Sequence, residues 1–462
     1  MEPTNKPNLT RRWLVHSGLA TIAGYHLLPM LRPLKVRAEG KPSLKGTAEH
    51  CIFLFLNGGA SQLDTFDLKE GRWTPQDFDV RTSKPGLLWP FGLFSRLAGH
   101  LGEIAIARSV QAWESSHARG GYYIQVGHAF SPARQKEMPS VGAVVAYESL
   151  RRRKASDFLP PFVSMNFSGN QLVKEGCLPG QTAPLALDLR YQTPFVIPAN
   201  EKALFERRWA LLQQFGADRI PSAQSQASYK PYQQWDSYYK GAHDLMISPQ
   251  IAGLLAFNED DHKRYGASPF GDACLAARNL LLANAGTRYI NISHNGWDLH
   301  AKMFDRNGTV NHYTLCKELD NGFASLLEDL QLKRCSDGKT LLEKTIIVCT
   351  GEFGRTGGDL TINKGRDHNR LAQTALFAGA GVKGGRAFGV TDERGEKVVK
   401  TEWNNRSRAI YTEDIFATVY SLLGIDWTKK IETTPSGRAF EYLEPISSTD
   451  FIDITQIETL FS

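Results

Sequence analysis

Cysteine is scarce in this sequence of 462 residues, and no cysteine motif is present. The six cysteines include no CxxC pair and show no thiol nucleophile signature, so thiol-based catalysis is not indicated. Cys51 and Cys349 fall inside apolar runs, where a buried free thiol is expected. An oxidising compartment would permit a disulfide among the other four cysteines, whose pairing the sequence leaves open.

The chain also lacks a surplus of charge once its first residues are set aside. The formal net charge is +6, and residues 1–38 carry six basic residues against Glu2, a net charge of +5. The rest of the chain is therefore near +1, which argues against a nucleic-acid partner. One short basic run, Arg151-Arg152-Arg153-Lys154, is typical of a solvated helix end rather than a binding patch.

An apolar stretch near the start, reaching about Leu31, makes a poor membrane span because histidine, serine and glycine interrupt it. Arg11 and Arg12 precede this stretch, and Val36-Arg37-Ala38 resembles a small-residue cleavage site. The pattern predicts a twin-arginine export signal over residues 1–38. We therefore expect a periplasmic or exported protein with no stable membrane insertion after signal removal. The alternative is an amphipathic helix that opens a cytosolic domain.

Past residue 40, apolar runs typical of strands alternate with helical patterns. Strands are predicted at Cys51–Leu56, Glu103–Val110, Tyr289–Ser293, Thr345–Cys349 and Ala375–Ala378, and helices at about Tyr313–Leu332 and Asp414–Leu423. This alternation predicts an α/β fold with a doubly wound, mostly parallel sheet. We assign residues 39–445 to this domain, about 180–285 to a helical insertion within it, and 446–462 to a C-terminal tail.

Polar clusters follow these strands, and the clearest begins directly after Cys349. Open α/β sheets bind ligands beyond the carboxyl ends of their strands, so the polar side chains of this cluster are expected at one rim. Carboxylates and imidazole are metal ligands, and arginine is suited to phosphate or sulfate. For Arg366 and Asp367, the alternative is a structural ion pair. The cluster comprises Glu352, Arg355, Arg366, Asp367 and His368.

The loop after the first strand contains Asn57-Gly58-Gly59 and Ser61. Glycine amides can hold an anion, and Asn57 can offer a carbonyl oxygen to a metal. Ser61 could act as a nucleophile beside a base, although the G-x-S-x-G arrangement is absent. The alternative is an Asn-Gly turn followed by a helix that Asp64 or Asp67 caps.

Histidines follow two other strands. His117 opens a helix that is expected to end near Gly127, and it can serve as a base, a ligand or a nucleophile. An incidental histidine behind a serine cap is the alternative. Asp298 and His300, two residues apart, can face one ion if the backbone between them is not helical. Surface hydrogen bonds are the alternative for this pair.

Together these motifs resemble a bacterial family of exported, sulfatase-like proteins that looks like a branch of the alkaline phosphatase superfamily. The resemblance covers about residues 10–445 and is weakest over 180–285. It implies an alkaline-phosphatase-like α/β fold and a two-metal hydrolase centre. The segments that carry it are Arg11-Arg12, Phe53–Gly59, Ser61–Asp67, Ser116–Gly120, Gly296–His300, Gly351–Thr356 and Gly365–His368.

Three departures from the family pattern reduce the implied metal centre. Asn57 stands where the pattern has a metal-binding aspartate, and Phe353 stands where it has a histidine ligand. His117 occupies the nucleophile position, where the family uses a hydroxyl or a modified cysteine, and the Cys-x-Pro-Ser-Arg sulfatase signature is absent. The resemblance then favours a single metal site. Its ligands would come from Asp298, His300, Glu352 and His368, with Asn57 and Asp367 as further candidates.

The leading hypothesis is an exported hydrolase of phosphate or sulfate esters that depends on one or two divalent ions, which are zinc, manganese, calcium or magnesium. Its partner would be a phosphate- or sulfate-bearing small molecule or glycan. His117 would be the nucleophile or general base, and Arg355 or Arg366 would stabilise the equatorial oxygens. The residues expected to line the anion site are Asn57, Gly58, Gly59 and Ser61.

Two other classes of function stay open. One is a non-catalytic binding or assembly protein that keeps the fold, which the departures at Asn57, His117 and Phe353 favour. The other is a metal-dependent carbohydrate-binding module, in which Trp297, beside Asp298, would be the stacking face.

Overall fold

An eight-stranded sheet forms the centre of the protein. The computed structural model describes residues 42–84, 86–169, 171–190, 197, 200–217, 240, 243, 245–444 and 452–462. The sheet order is β8-β2-β7-β6-β1-β5-β3-β4. In chain order these strands are β1 (His50–Asn57), β2 (Ile104–Val110), β3 (Phe162–Met165), β4 (Leu185–Leu187), β5 (Tyr289–Asn295), β6 (Thr345–Thr350), β7 (Gln373–Ala378) and β8 (Arg386–Phe388).

Parallel pairing dominates this sheet. The central strand β1 pairs in parallel with β5 on one side and with β6 on the other. The pairs β3–β5, β3–β4 and β2–β8 are also parallel. Among the described strands of the sheet, β7 alone is reversed, since it runs antiparallel to both β6 and β2. The predicted α/β fold with a mostly parallel sheet is confirmed.

Strand β1 is buried on both faces, as its continuous apolar run predicts. Successive side chains of a strand point to opposite faces, so β1 contributes to two separate cores. Its residues Ile52, Leu54 and Leu56 lie in one core, and Cys51, Phe53 and Phe55 lie in the other.

Helices cover both faces of the sheet. The core that contains Ile52 also includes α6 (Pro269–Ala283) and α7 (His312–Leu332), and the opposite core includes α1 (His117–Val126), α2 (Val141–Ser149) and α8 (Thr412–Leu422). The long helix α7 begins with a capping box, in which the Asn311 side chain accepts from the Thr314 amide at 3.0 Å. The remaining helices are α3 (Lys202–Ala217), α4 (Pro249–Leu255) and α5 (Glu259–Arg264). None of these described helices is both long and apolar enough to cross a bilayer.

The domain boundaries stay predictions. The proposed signal over residues 1–38 lies outside the described residues. The described part of 180–285 contains α3 to α6 and the short strand β4. At the other end, Ile457 and Leu460 of the assigned tail are buried in the core that contains Phe53. None of the six cysteines, all of them described, forms a disulfide, and Cys51 and Cys349 are buried free thiols as expected.

A buried carboxyl group lies at the start of α8. Glu413 is fully buried, and its carboxylate accepts hydrogen bonds from Tyr123 Oη and from Trp113 Nε1, the latter at 3.0 Å. Burial raises the pKa of Glu413 to about 7, although the hydrogen bond from Tyr123 works in the opposite direction. The folded protein therefore holds the proton of this carboxyl group at pH values where the unfolded chain has lost it.

We predict a pH-dependent stability that Glu413→Gln removes. Between pH 5 and pH 8 the unfolded chain has released this proton while the folded protein progressively releases it, so stability falls as the pH rises. The free energy of unfolding should fall by on the order of 3 kcal/mol more in the parent than in Glu413→Gln. Urea unfolding at both pH values measures this difference. The exposed Glu70→Gln is the control, and equal pH dependence in all three proteins would contradict the prediction.

Candidate functional site

The carboxyl edge of the sheet brings together side chains that are distant in sequence. Asp298 follows the end of β5, Glu352 follows the end of β6, and His117 is the first residue of α1, in the connection after β2. His368 lies in a two-stranded ribbon of Gly354–Arg355 and His368–Asn369, directly opposite Arg355. The order of the strands, rather than any local motif, therefore assembles this cluster.

Glu352 supports the cluster from its buried side. Its side chain is fully buried and accepts hydrogen bonds from the backbone amides of Gly58 (3.0 Å) and Gly59 (3.1 Å). Both glycines have positive φ angles, and a Cβ atom on Gly58 would lie 2.5 Å from the Asp298 amide nitrogen. Glycine is therefore required here for the close approach. The amides predicted to hold a ligand anion bind the carboxylate of Glu352 instead.

The same carboxylate orients His117, whose Nδ1 lies 2.6 Å from Glu352 Oε1. The imidazoles of His300 and His368 also have an oxygen acceptor at Nδ1. His300 Nδ1 lies 2.9 Å from Asp367 Oδ1, and His368 Nδ1 lies 2.7 Å from the Ser115 carbonyl oxygen. Because every Nδ1 has an oxygen acceptor, each neutral ring carries its proton there and presents an Nε2 lone pair.

The three Nε2 atoms converge on Asp298. The Oδ1 atom of Asp298 lies 3.0 Å from Nε2 of both His117 and His300, and 3.4 Å from that of His368. The Nε2 atoms of His300 and His368 are themselves 3.0 Å apart. All four candidate ligand atoms lie within 4.8 Å of one another.

One nitrogen of this cluster lacks an aligned partner. His117 Nε2 is buried without a hydrogen bond among the described residues, even though Asp298 Oδ1 is only 3.0 Å away. The two atoms are therefore within ion-pair distance, but their alignment does not make a hydrogen bond. A buried nitrogen in this condition is well suited to a metal ion.

Arg355 compensates the charge of Asp298. Its Nη2 lies 2.6 Å from Asp298 Oδ1, and the guanidinium is 2 % exposed. Burial opposes ionisation of Asp298, but the hydrogen bond and charge of Arg355 outweigh it and lower the pKa of Asp298 to about 2. This carboxylate is therefore ionised at any physiological pH and available as a ligand.

The histidines differ in their proton affinity. Burial lowers the pKa of His117, but the Glu352 and Asp298 carboxylates reverse this, and the net direction is upward. Burial lowers the pKa of His368, and the positive charges of Arg355 and His117 add to this effect. His368 is thus held in the neutral form that binds metals.

Phe353 forms an apolar wall beside the cluster. Its ring centroid lies 4.9 Å from that of His117 and 4.7 Å from that of His368. Phe353 is fully buried, whereas the side chains of Asp298 and His300 are 44 % and 42 % exposed. The cluster is therefore closed on the side of Phe353 and open to solvent on the side of Asp298.

Several predicted site residues lie in other contacts. The side-chain amide of Asn57 donates through Nδ2 to Asn295 Oδ1 at 2.8 Å, which connects β1 to β5. Ser61 is buried and donates to Asp64 Oδ2 at 2.5 Å. Arg366, 1 % exposed, forms a bidentate pair with Asp64 at 2.6 and 3.1 Å. A structural ion pair of Arg366 was the alternative, although its partner is Asp64 rather than Asp367.

Arg355 is similarly engaged. Besides Asp298, it donates to the carbonyl oxygens of Gly58, Gly59 and Arg366. These contacts fix the guanidinium, so neither arginine has a free edge for the equatorial oxygens of an ester.

Trp297 does not offer a sugar-stacking face. It is 2 % exposed, and its Nε1 lies 3.3 Å from His294 Nδ1. The expectation that Trp297 stacks on a carbohydrate is wrong, because the glycine-containing turn after β5 directs this ring into the core. The contact of the Ser115 carbonyl oxygen with His368 could not be predicted from the sequence, since a backbone carbonyl is common to all residue types.

The donor set fits a transition-metal ion. Three imidazole nitrogens and one carboxylate oxygen match the ligands of zinc and related ions, whereas calcium and magnesium prefer oxygen ligands. Orienting partners on every Nδ1 are a usual feature of such sites. The residues that could hold one ion are His117, Asp298, His300 and His368.

Comparison with solved structures gives distant similarities. An alkaline phosphatase superfamily protein from Vibrio parahaemolyticus is 10 % identical, with a TM-score of 0.38, covering 84 % of this chain and 69 % of that one. The PsFucS1 sulfatase from Pseudoalteromonas sp. is 12 % identical, with a TM-score of 0.36 and coverages of 91 % and 72 %. The alkaline phosphatase from the Antarctic bacterium TAB5 is 14 % identical, with a TM-score of 0.33 and coverages of 83 % and 99 %.

Among curated proteins, none matches this sequence. A family model described as "Protein of unknown function (DUF1501)" matches residues 48–447, which include the whole sheet and every residue of the cluster. The chain therefore belongs to the DUF1501 family.

Proposed function

We propose that this protein is an exported hydrolase of phosphate or sulfate esters that works with one bound transition-metal ion, preferably zinc. The observation that carries the proposal is the convergence of three Nε2 atoms and Asp298 Oδ1 within 4.8 Å. Each imidazole is oriented through Nδ1 by a separate acceptor, which a chance surface cluster would not need.

His117, Asp298, His300 and His368 would hold the ion. When bound, it would supply a positive charge that polarises an ester oxygen and increases the acidity of water. With His117 as a ligand, the chain offers no covalent nucleophile at this position, so we propose direct attack by water. This replaces the role of nucleophile or base that the sequence suggested for His117.

The chain itself would position the water from the open side of the cluster. Among the described residues, the hydrogen bond to the Asp298 carboxylate comes from Arg355 and goes to Oδ1, which leaves Oδ2 able to accept a hydrogen bond from water. Asp367 is 64 % exposed beside His300 and is the candidate general base. The proposed substrate is a phosphate- or sulfate-bearing small molecule or glycan that reaches this side.

A non-catalytic binding protein is the second candidate. The observation in its favour is that the groups expected to bind the ester oxygens, Arg355, Arg366 and the Gly58 and Gly59 amides, are all engaged within the protein. Such a protein would bind the metal but show no turnover. Export remains part of the proposal and rests on the Arg11-Arg12 pattern alone.

Metal content is the first prediction from this site. Protein purified without chelator should contain about one zinc per chain, because the four candidate ligand atoms lie within 4.8 Å of one another, close enough to bind a single ion. His368→Ala should lose most of it, as measured by inductively coupled plasma mass spectrometry. His100→Ala, which removes a histidine outside the cluster, is the matched control. A metal-free parent after incubation with zinc and manganese would contradict the site.

Removing an orienting partner should weaken the metal without unfolding the protein. In Asp367→Asn the His300 Nδ1 proton loses a charged acceptor, and zinc affinity should fall about 10- to 100-fold. Competition with a fluorescent chelator measures the affinity. Asp359→Asn, in the same segment but paired with Arg72, is the control. Unchanged affinity in Asp367→Asn would mean that this contact does not orient a ligand.

Turnover distinguishes the two candidate functions. The zinc-loaded protein should release p-nitrophenol from p-nitrophenyl phosphate or sulfate, and Asp298→Asn should lower the rate by at least about 100-fold, more than the loss of an outer contact. Asp305→Asn, in the loop after β5, should retain the parent rate. Stoichiometric zinc without hydrolysis of either ester would favour the binding protein.

A further inference from the structure

A cavity of about 270 Å³ lies at the opposite edge of the sheet from the histidine cluster. Its lining includes Glu49, directly before β1, and Arg288, directly before β5, whereas the cluster follows the other ends of these strands. At about 30 Å³ for each water molecule, the cavity has room for about nine waters. It can therefore accommodate a small organic molecule.

The cavity has cationic side chains without acidic partners. Arg152, Lys154 and Arg288 line it, and none of them has a carboxylate within ion-pair distance among the described residues. The two carboxylates of the lining already have lysines: Glu49 lies 2.8 Å from Lys344 Nζ, and Glu148 lies 2.8 Å from Lys429 Nζ. The excess charge of the cavity is positive.

Arg288 lines this cavity and carries an unpaired donor. Its backbone is fixed, since its amide donates to the Pro161 carbonyl at 2.8 Å and its carbonyl accepts from the Cys51 amide at 2.9 Å. Its Nη1 is buried and has no hydrogen-bond partner in the described part of the chain. Buried donors of charged groups are costly when unpaired, so an acceptor from outside the chain is expected.

The positive charge of Arg288 affects the pKa of His50. Burial lowers the pKa of His50 to about 4, and the positive charge of Arg288 contributes to this lowering. His50 is therefore neutral and adds no charge of its own. The positive potential in the cavity comes from Arg152, Lys154 and Arg288.

We propose that this cavity binds the phosphate group of a small phosphorylated ligand. Arginine offers a planar fork of donors that matches phosphate oxygens, and two further cations can share a double negative charge. Val145 and Ile425 add apolar walls that suit a short organic substituent. Part of the basic run at 151–154 is therefore a binding element rather than a solvated helix end. The site is independent of the metal cluster and of the proposed hydrolase activity.

Calorimetric titration of the full chain in the presence of chelator tests this proposal. Inorganic phosphate and n-propyl phosphate are the probes, and at least one should bind saturably at one site per chain. Arg152→Ala and Lys154→Ala, both at exposed residues, should each weaken binding several-fold, and Arg288→Ala should weaken it at least 10-fold. His368→Ala should bind as the parent does, because the metal cluster is not involved.

The two probes distinguish the sources of the phosphate group. Tighter binding of n-propyl phosphate would identify a phosphate monoester as the ligand, and tighter binding of inorganic phosphate would identify the free ion.

Arg151→Ala is the matched control. It removes the same charge from the same basic run, but Arg151 does not line the cavity. Binding in this variant should stay within about twofold of the parent. The proposal is overturned if neither probe binds saturably, or if Arg151→Ala weakens binding as much as Arg152→Ala and Lys154→Ala do. If Arg288→Ala fails to fold, the exposed variants still decide the question.

Discussion

A buried carboxylate joins three segments of the chain at the carboxyl edge of the sheet. Glu352, which follows β6, accepts from the two glycine amides that follow β1 and from Nδ1 of His117 at the start of α1. An isolated carboxylate in this position would be strongly unfavourable, so these bonds are what permit its burial. They also fix the direction in which His117 presents Nε2. The positions of Asp298 and Arg355 depend on the same turn, because Arg355 binds the carbonyl oxygens of Gly58 and Gly59.

The same arrangement accounts for the three residues that depart from the pattern implied by the sequence resemblance. Phe353, which stands where the resemblance expects a histidine ligand, forms an apolar wall against His117 and His368. The Asn57 side chain donates to Asn295 and connects β1 to β5, and it is not part of the candidate ligand cluster. His117, which the resemblance places at a nucleophile position, has its Nδ1 fixed by Glu352, and its Nε2 lies 3.0 Å from Asp298 Oδ1 without a hydrogen bond. In the proposed single metal site, His117 is therefore the third imidazole rather than a covalent nucleophile, while the opposite edge of the sheet carries a separate cationic cavity.

The sequence predicted the elements well and the contacts poorly. Continuous apolar runs identified β1, β2, β5, β6 and β7, because burial on both faces leaves a strong local signal. The reversal of β7 had no such signal, since direction is set by the connections around it. Asp298, His300 and His368 were predicted as candidate ligands from their positions after strands, and the structure places their side chains together. The role of Glu352 and the pairing of Arg366 with Asp64 depend on side-chain directions between segments about 300 residues apart, which no local pattern encodes.

In the proposed site, three imidazoles and one carboxylate hold a single ion. X-ray absorption spectroscopy at the zinc edge tests it most directly, because it reports the number, type and distance of the ligands without assuming any activity. We expect about three nitrogen ligands at about 2.0–2.1 Å, with the scattering pattern of imidazole, and one oxygen ligand at about 2.0–2.2 Å. A shell of water oxygens without imidazole scattering, or any sulfur ligand near 2.3 Å, would contradict it.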